Sequence, residues 1–133
     1  METRLLFGWK VKFAKTSGEA NFYKQEYEMS GSHVSVELNY LLGTEPMIVY
    51  NRKKLVGGCT YNGVLPMRYL DVFKSKKEKR KLLESEKLKE QDFLEMTCIF
   101  KRKGASKLER IIFYVVVLLY AWSFLKHFNK LAI

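Results

Sequence analysis

Ile111-Ile-Phe-Tyr-Val-Val-Val-Leu-Leu-Tyr-Ala-Trp-Ser-Phe-Leu125 runs fifteen residues without a charge, a glycine or a proline. Ten of the fifteen are Ile, Leu, Val or Phe, worth about −0.3 to −0.6 kcal/mol each on insertion scales, so the run contributes on the order of −3 to −6 kcal/mol in favour of a membrane. As a helix it covers about 23 Å, short of a hydrocarbon core of roughly 30 Å. Extension from Leu108 to Phe128 reaches about 31 Å, with Glu109, Arg110, Lys126 and His127 carried into the headgroups. A single membrane-spanning helix is therefore expected. Its anchor residues are Ile111, Ile112, Phe113, Tyr114, Val115, Val116, Val117, Leu118, Leu119, Tyr120, Trp122, Phe124 and Leu125, with Tyr114, Tyr120 and Trp122 as interfacial aromatics. The competing reading is a buried helix of a soluble core, which in so small a chain needs a partner surface on every side.

The basic residues around this run set an expected orientation. Lys101, Arg102, Lys103, Lys107 and Arg110 precede it, against Lys126 and Lys130 after it, so the bulk of the chain is expected on the cytosolic or matrix side. Lys101, Arg102, Lys103, Lys107, Arg110 and Lys126 are the expected contacts to lipid headgroups, and anionic lipids such as cardiolipin are the expected lipid partners. No apolar signal-peptide core opens the chain, because the Leu5 to Val11 region is broken by Gly8 and Lys10, and secretion is disfavoured. Cys59 and Cys98 lack metal-like spacing and read as two thiols of a reducing compartment.

The net charge of +10 is unevenly placed. Residues 1–73 hold nine Lys/Arg against seven acids, whereas residues 74–110 hold thirteen against seven. The Lys74 to Lys81 cluster carries no aromatic up to Asp92, which argues against a stacking nucleic-acid interface, and no nucleic acid partner is expected. A solvated, lipid-facing helix is preferred for this stretch over a protein-binding face.

Ahead of the charged stretch the periodicity is that of strands. Leu5, Phe7, Trp9, Val11 and Phe13 alternate with smaller or charged residues, Tyr23, Gln25, Tyr27 and Met29 alternate with Lys24, Glu26 and Glu28, and Val34, Val36, Leu38 and Tyr40 repeat the pattern. Thr16 to Glu19, Ser30 to Ser32 and Leu42 to Pro46 supply the turns. Met47 to Tyr50 and Lys54 to Val56 form a further expected pair around Asn51-Arg-Lys53, and Asn62-Gly63 is a candidate hairpin turn. Leu94, Met96, Cys98 and Phe100 alternate again and predict a closing strand over 93–100, favoured over continuation of the charged helix. The expected fold is α+β: a small antiparallel β-sheet domain over 1–73, a basic charged helix and closing strand over 74–103, and a C-terminal transmembrane helix with a short tail over 104–133.

Catalytic constellations are thin. His33 and His127 suggest no pair, and Gly57-Gly58-Cys59 lacks the lysine and hydroxyl of a phosphate-binding loop, so a hairpin turn is the cheaper explanation of its glycines. Glu26, Glu28 and Glu37 fall on expected outer faces. No enzyme activity, cofactor or metal is expected. The load of nine Phe, eight Tyr and two Trp exceeds what one small sheet buries, and Tyr61, Met67 and Tyr69 are the expected contacts to a protein partner. No family motif can be quoted from the chain. By analogy of design alone, the expectation is a non-catalytic accessory subunit that stabilises a multi-subunit membrane complex of the respiratory chain in the mitochondrial inner membrane, facing the matrix. The rivals are a tail-anchored adaptor on a cytosol-facing outer mitochondrial or endoplasmic reticulum membrane, and a tethered enzyme using Cys59.

Overall fold

A computed structural model describes residues 2–30, 35–63, 81, 93–125 and 130–132. The expected α+β architecture is present. Five antiparallel strands, β1 (Glu2–Arg4), β2 (Trp9–Phe13), β3 (Glu45–Asn51), β4 (Lys54–Asn62) and β5 (Phe93–Lys101), are joined by β6 (Lys130–Ala132), which pairs in parallel with β5. Strand order in the sheet follows chain order. Helices α1 (Ser17–Met29) and α2 (Leu38–Leu42) connect β2 to β3, and α3 (Lys107–Leu125) connects β5 to β6.

Two cores form, one on each face of the sheet. Ala20, Tyr23 and Tyr27 of α1 and Leu41 of α2 pack with Ile48, Leu55, Cys98 and Phe100 on one face. On the other, Phe113, Val116, Val117 and Ala121 of α3 pack with Trp9, Val11, Met47, Val49, Cys59, Tyr61, Leu94 and Met96. The segment expected as an anchor thus supplies one layer of the domain. By length and composition α3 is also apolar enough to cross a membrane, which suggests membrane association without indicating which membrane.

Three expected strand assignments change. Residues 23–29 belong to α1, because Ala20, Tyr23 and Tyr27 recur at helical spacing and Gln25, counted with the apolar set, is exposed. Thr16 to Glu19 is a capping box rather than a turn: the Glu19 amide donates to Thr16 Oγ1 at 3.2 Å and the Thr16 amide donates to Glu19 Oε1 at 3.1 Å. Lys12 closes on the same carboxylate at 3.0 Å. Residues 35–37 are irregular and Leu38–Leu42 forms a short helix instead of a strand, directing Leu41 into the α1 core. At the N-terminal end, a 3-10 turn over Leu6–Gly8 leaves Leu6 and Phe7 exposed, and the strand starts only at Trp9.

Gly57-Gly58 is not a turn. Both residues lie inside β4, where rings cross close to the backbone. A Cβ on Gly57 would stand 2.4 Å from the Phe100 carbonyl oxygen and 2.9 Å from the Phe113 ring, and one on Gly58 would stand 2.5 Å from the Phe100 ring and 2.8 Å from that of Tyr23. These glycines let both helical layers approach one strand.

The closing strand is present, as Phe93–Lys101, but its alternation is broken midway. Gly58 pairs with Phe100 and Thr60 with Thr97, so two residues of β5 face one of β4. Cys98 takes φ 53 within this bulge. Consequently Leu94 and Met96 point to the α3 core, whereas Cys98 and Phe100 point to the α1 core. The Tyr23 hydroxyl donates to the Cys98 carbonyl at 2.7 Å and braces the bulge. Asn62 ends β4. Residues 74–92 lie outside the described residues except Lys81, which is helical and exposed.

Candidate anion-binding loop and cleft

β5 is the strand at which the sheet changes character, with antiparallel β4 on one side and parallel β6 on the other. In sheets with parallel strands, ligands collect outside the C-terminal ends of such strands, where the loop feeds the next helix. Here that loop is Arg102-Lys-Gly-Ala-Ser106. Its path is fixed by the Arg102 amide donating to the Val56 carbonyl at 2.8 Å and the Ala105 amide donating to the Arg102 carbonyl at 3.2 Å. Gly104 turns the chain with φ +88, and nothing lies within 4 Å of where its Cβ would be. A ligand can therefore approach the backbone closely.

Ser106 caps α3, accepting the Glu109 amide at 3.1 Å on Oγ, while the Ser106 amide donates to Glu109 Oε1 at 3.0 Å. Glu109 also accepts from Lys54 Nζ at 3.1 Å and Asn51 Nδ2 at 3.2 Å. The Ser106 amide, with Asn51 and Lys54, holds its carboxyl down at about 2. This carboxylate fills the sheet-ward side of the helix start. Lys103, Gly104, Lys107 and Leu108 on the outward side are exposed, and their amides have no acceptor among the described residues. The free amides of Lys103-Gly104 and of Lys107-Leu108, separated by the engaged amides of Ala105 and Ser106, lie by the positive end of a 19-residue helix, where an anion is favoured.

Side-chain charge points the same way. Arg102 and Lys103 are exposed and make no ion pair with any described residue. Both also line a cleft of about 450 Å³ between the end of α1 and the sheet, floored by Phe22, Met29, Tyr50, Leu55 and Phe100, with Glu26 and Lys53 at its margin. Cationic loop and aromatic floor are contiguous.

The residues singled out from sequence separate accordingly. Of the expected headgroup contacts, Arg102, Lys103, Lys107 and Arg110 are exposed, Lys101 is half-buried with its ammonium 4.9 Å from the Tyr114 ring centroid, and Lys126 lies outside the described residues. Tyr61 is a core residue whose hydroxyl donates to the Val117 carbonyl at 2.6 Å, so it presents no contact surface, and Met67 and Tyr69 lie outside the described residues. Among the expected anchor residues, Phe113, Val116 and Val117 are buried against the sheet, Ile112, Tyr120, Phe124 and Leu125 are half-buried, and Ile111, Tyr114, Val115, Leu118, Leu119 and Trp122 are exposed.

Cys59 is fully buried, and burial pushes its thiol up to about 12, which leaves it un-ionised and out of reach as a nucleophile. Glu28 belongs to α1, where it pairs with Lys24 at 2.8 Å and accepts the Val36 amide at 3.3 Å. Glu95, on the closing strand, is fully buried and accepts from Tyr40 Oη at 2.6 Å and Asn62 Nδ2 at 3.4 Å. No group of His, Cys, Asp and Glu fit to hold a metal occurs among the described residues. In the sequence this loop stands as a strand followed by Lys101-Arg-Lys-Gly-Ala-Ser106 and an apolar helix. The chain matches no family model, no curated protein and no solved structure.

Proposed function

We propose that the chain binds a small phosphate-bearing cofactor, with a pyrophosphate on the loop over 102–107 and an apolar or aromatic portion in the adjoining cleft. The observation that carries this reading is the open Gly104 at φ +88 between the end of β5 and the start of α3, preceded by Arg102 and Lys103 without acidic partners among the described residues. Glycine removes the side chain that would hold the ligand off, the helix start supplies oriented amides, and the cations supply charge. This departs from the expectation of a chain without a cofactor. Calorimetry with ATP, NADH, coenzyme A and acetyl-coenzyme A as probes tests it. At least one probe is expected to bind, to compete with inorganic pyrophosphate, and to weaken roughly a hundredfold or more when Arg102 and Lys103 are both changed to alanine, since charge-assisted contacts contribute about 1.5–3 kcal/mol each. Absence of binding by all four at millimolar concentration overturns it.

A second reading draws on the exposed apolar side of α3. In it the chain is a non-catalytic accessory subunit of a membrane complex, with the respiratory chain of the mitochondrial inner membrane as the finer proposal and a cytosol-facing adaptor as its rival. Exposed Leu118, Leu119 and Trp122 support it, because large apolar side chains grouped on one surface mark interaction sites. Blue-native electrophoresis of gently solubilised membranes tests it: comigration with a large assembly is expected, and a band at the mass of the free chain counts against it.

A further inference from the structure

We infer that the outer face of α3 lies in the plane of an anionic lipid surface while its inner face stays on the sheet. The inference assigns lipid to the apolar face on which the membrane reading draws; it shares Arg102, Lys103 and Lys107 with the proposed cofactor loop, but the apolar stripe that carries it does not. On one side of α3, Phe113, Val116, Val117 and Ala121 are buried; on the opposite side, Leu108, Ile111, Val115, Leu118, Leu119 and Trp122 are each at least half exposed. These six recur at intervals of three and four and form a continuous stripe along a helix about 28 Å long. A helix apolar all round requires cover on both sides, and the sheet covers one. Spanning a bilayer would expose the buried face to lipid and break the Tyr61 hydroxyl bond to the Val117 carbonyl, whereas lying flat keeps both.

Charge selects the occupant. Arg102, Lys103, Lys107 and Arg110 are exposed at the N-terminal end of the stripe, and the only acid between them, Glu109, is neutralised by Lys54. An apolar stripe with a cationic end complements acyl chains beneath acidic headgroups. A neutral protein surface would leave those four cations unanswered. The aromatic Trp122, 72 % exposed at the other end of the stripe, is suited to the headgroup boundary.

The test uses the full chain and vesicles of phosphatidylcholine with or without phosphatidylserine. Sedimentation with the acidic vesicles is expected, falling with added salt, together with quenching of Trp122 by brominated lipid. Trp9 is 6 % exposed, so a Trp122→Phe variant is expected to bind and show no quenching. Changing Lys107 and Arg110 to alanine is expected to weaken binding about thirtyfold, from roughly 1 kcal/mol per basic residue at the surface. Leu118→Glu is expected to abolish it while leaving the melting temperature and the binding of a soluble cofactor at the 102–107 loop unchanged, because Leu118 faces away from both. Failure here with cofactor binding intact removes the membrane surface alone. Equal binding to neutral vesicles, absence of binding, a stripe-dependent dimer that Leu118→Glu dissociates, or retention of the protein in membranes after alkaline carbonate extraction would each overturn the inference.

Discussion

Replacing Phe113 by alanine separates a helix that belongs to the domain from one that merely follows it. Phe113 is 0 % exposed, its ring lies against the backbone of Gly57, and it shares a core with Met47, Val49, Cys59 and Tyr61. Gly57 has no side chain to fill the space, and neighbouring strands are held by their ladder bonds, so the cavity cannot collapse. A truncation of this kind costs about 3–5 kcal/mol, which in a domain of this size lowers the melting temperature by about 10–20 °C. Leu118→Ala, one and a half turns further on and 56 % exposed, is expected to stay within about 0.5 kcal/mol of the parent. Thermal and urea unfolding followed by circular dichroism measure both. If Phe113→Ala melts with the parent protein while Leu118→Ala loses several kcal/mol, the packing of α3 on the sheet is refuted and its outward side is the one that stabilises.

Further outcomes follow from other contacts. Gly58→Ala places a methyl against the Phe100 and Tyr23 rings and is expected to cost about 1–3 kcal/mol, read as a lowered urea midpoint. Thr16→Ala removes the cap of α1 and is expected to cost about 1 kcal/mol, with a smaller effect in a Glu19→Ala background if the two side chains act as one box. Glu109 titrates near 2 when folded against an ordinary 4.5, so its contribution is complete above about pH 4.5 and is lost as pH falls towards 2; because Lys54 is half exposed, that contribution is on the order of 1–2 kcal/mol, and Glu109→Gln is expected to flatten the stability curve in this window. Glu19 titrates in the same window, so the Glu109→Gln curve is expected to keep a residual slope there. Both cysteines are buried, so Ellman's reagent is expected to find no reactive thiol in the native protein and two after unfolding.

Much of the sheet was readable because its signal is local. The β3–β4 pair alternates and turns within a few residues, and β5 carries β-branched and aromatic residues where Lys and Glu stop. The same period-two reading failed at Tyr23 and Tyr27, since a spacing of four satisfies both a strand and a helix; the capping box at Thr16 and Glu19 would have decided it. It failed at Gly57-Gly58 for a different reason. Glycine marks tight space as well as turns, and the rings of Tyr23, Phe100 and Phe113 that create the tight space come from residues 35 to 56 positions away. The apolar run at 111–125 announced a helix, but hydropathy measures how much apolar surface there is rather than what covers it. Only the sheet reveals that Phe113, Val116, Val117 and Ala121 have cover and that the stripe through Leu118 does not. The cations from Arg102 to Lys107 are plain in the sequence, but only the fold shows that β5 and α3 bracket them around Gly104.

The bulge in β5 has a consequence for length variation in the chain. With Thr97 opposite Thr60 and Phe100 opposite Gly58, Cys98 is a supernumerary residue: removing it would let Ile99 stand opposite Cys59 and leave every other side chain on its present face. A non-glycine residue at φ 53 costs on the order of 1–3 kcal/mol, strain that a shorter strand would relieve while giving up the Tyr23 bond to the Cys98 carbonyl. Position 98 is thus a place where the ladder tolerates a one-residue deletion, whereas a deletion on either side of it, between Leu94 and Met96 or between Ile99 and Lys101, would turn part of the strand inside out.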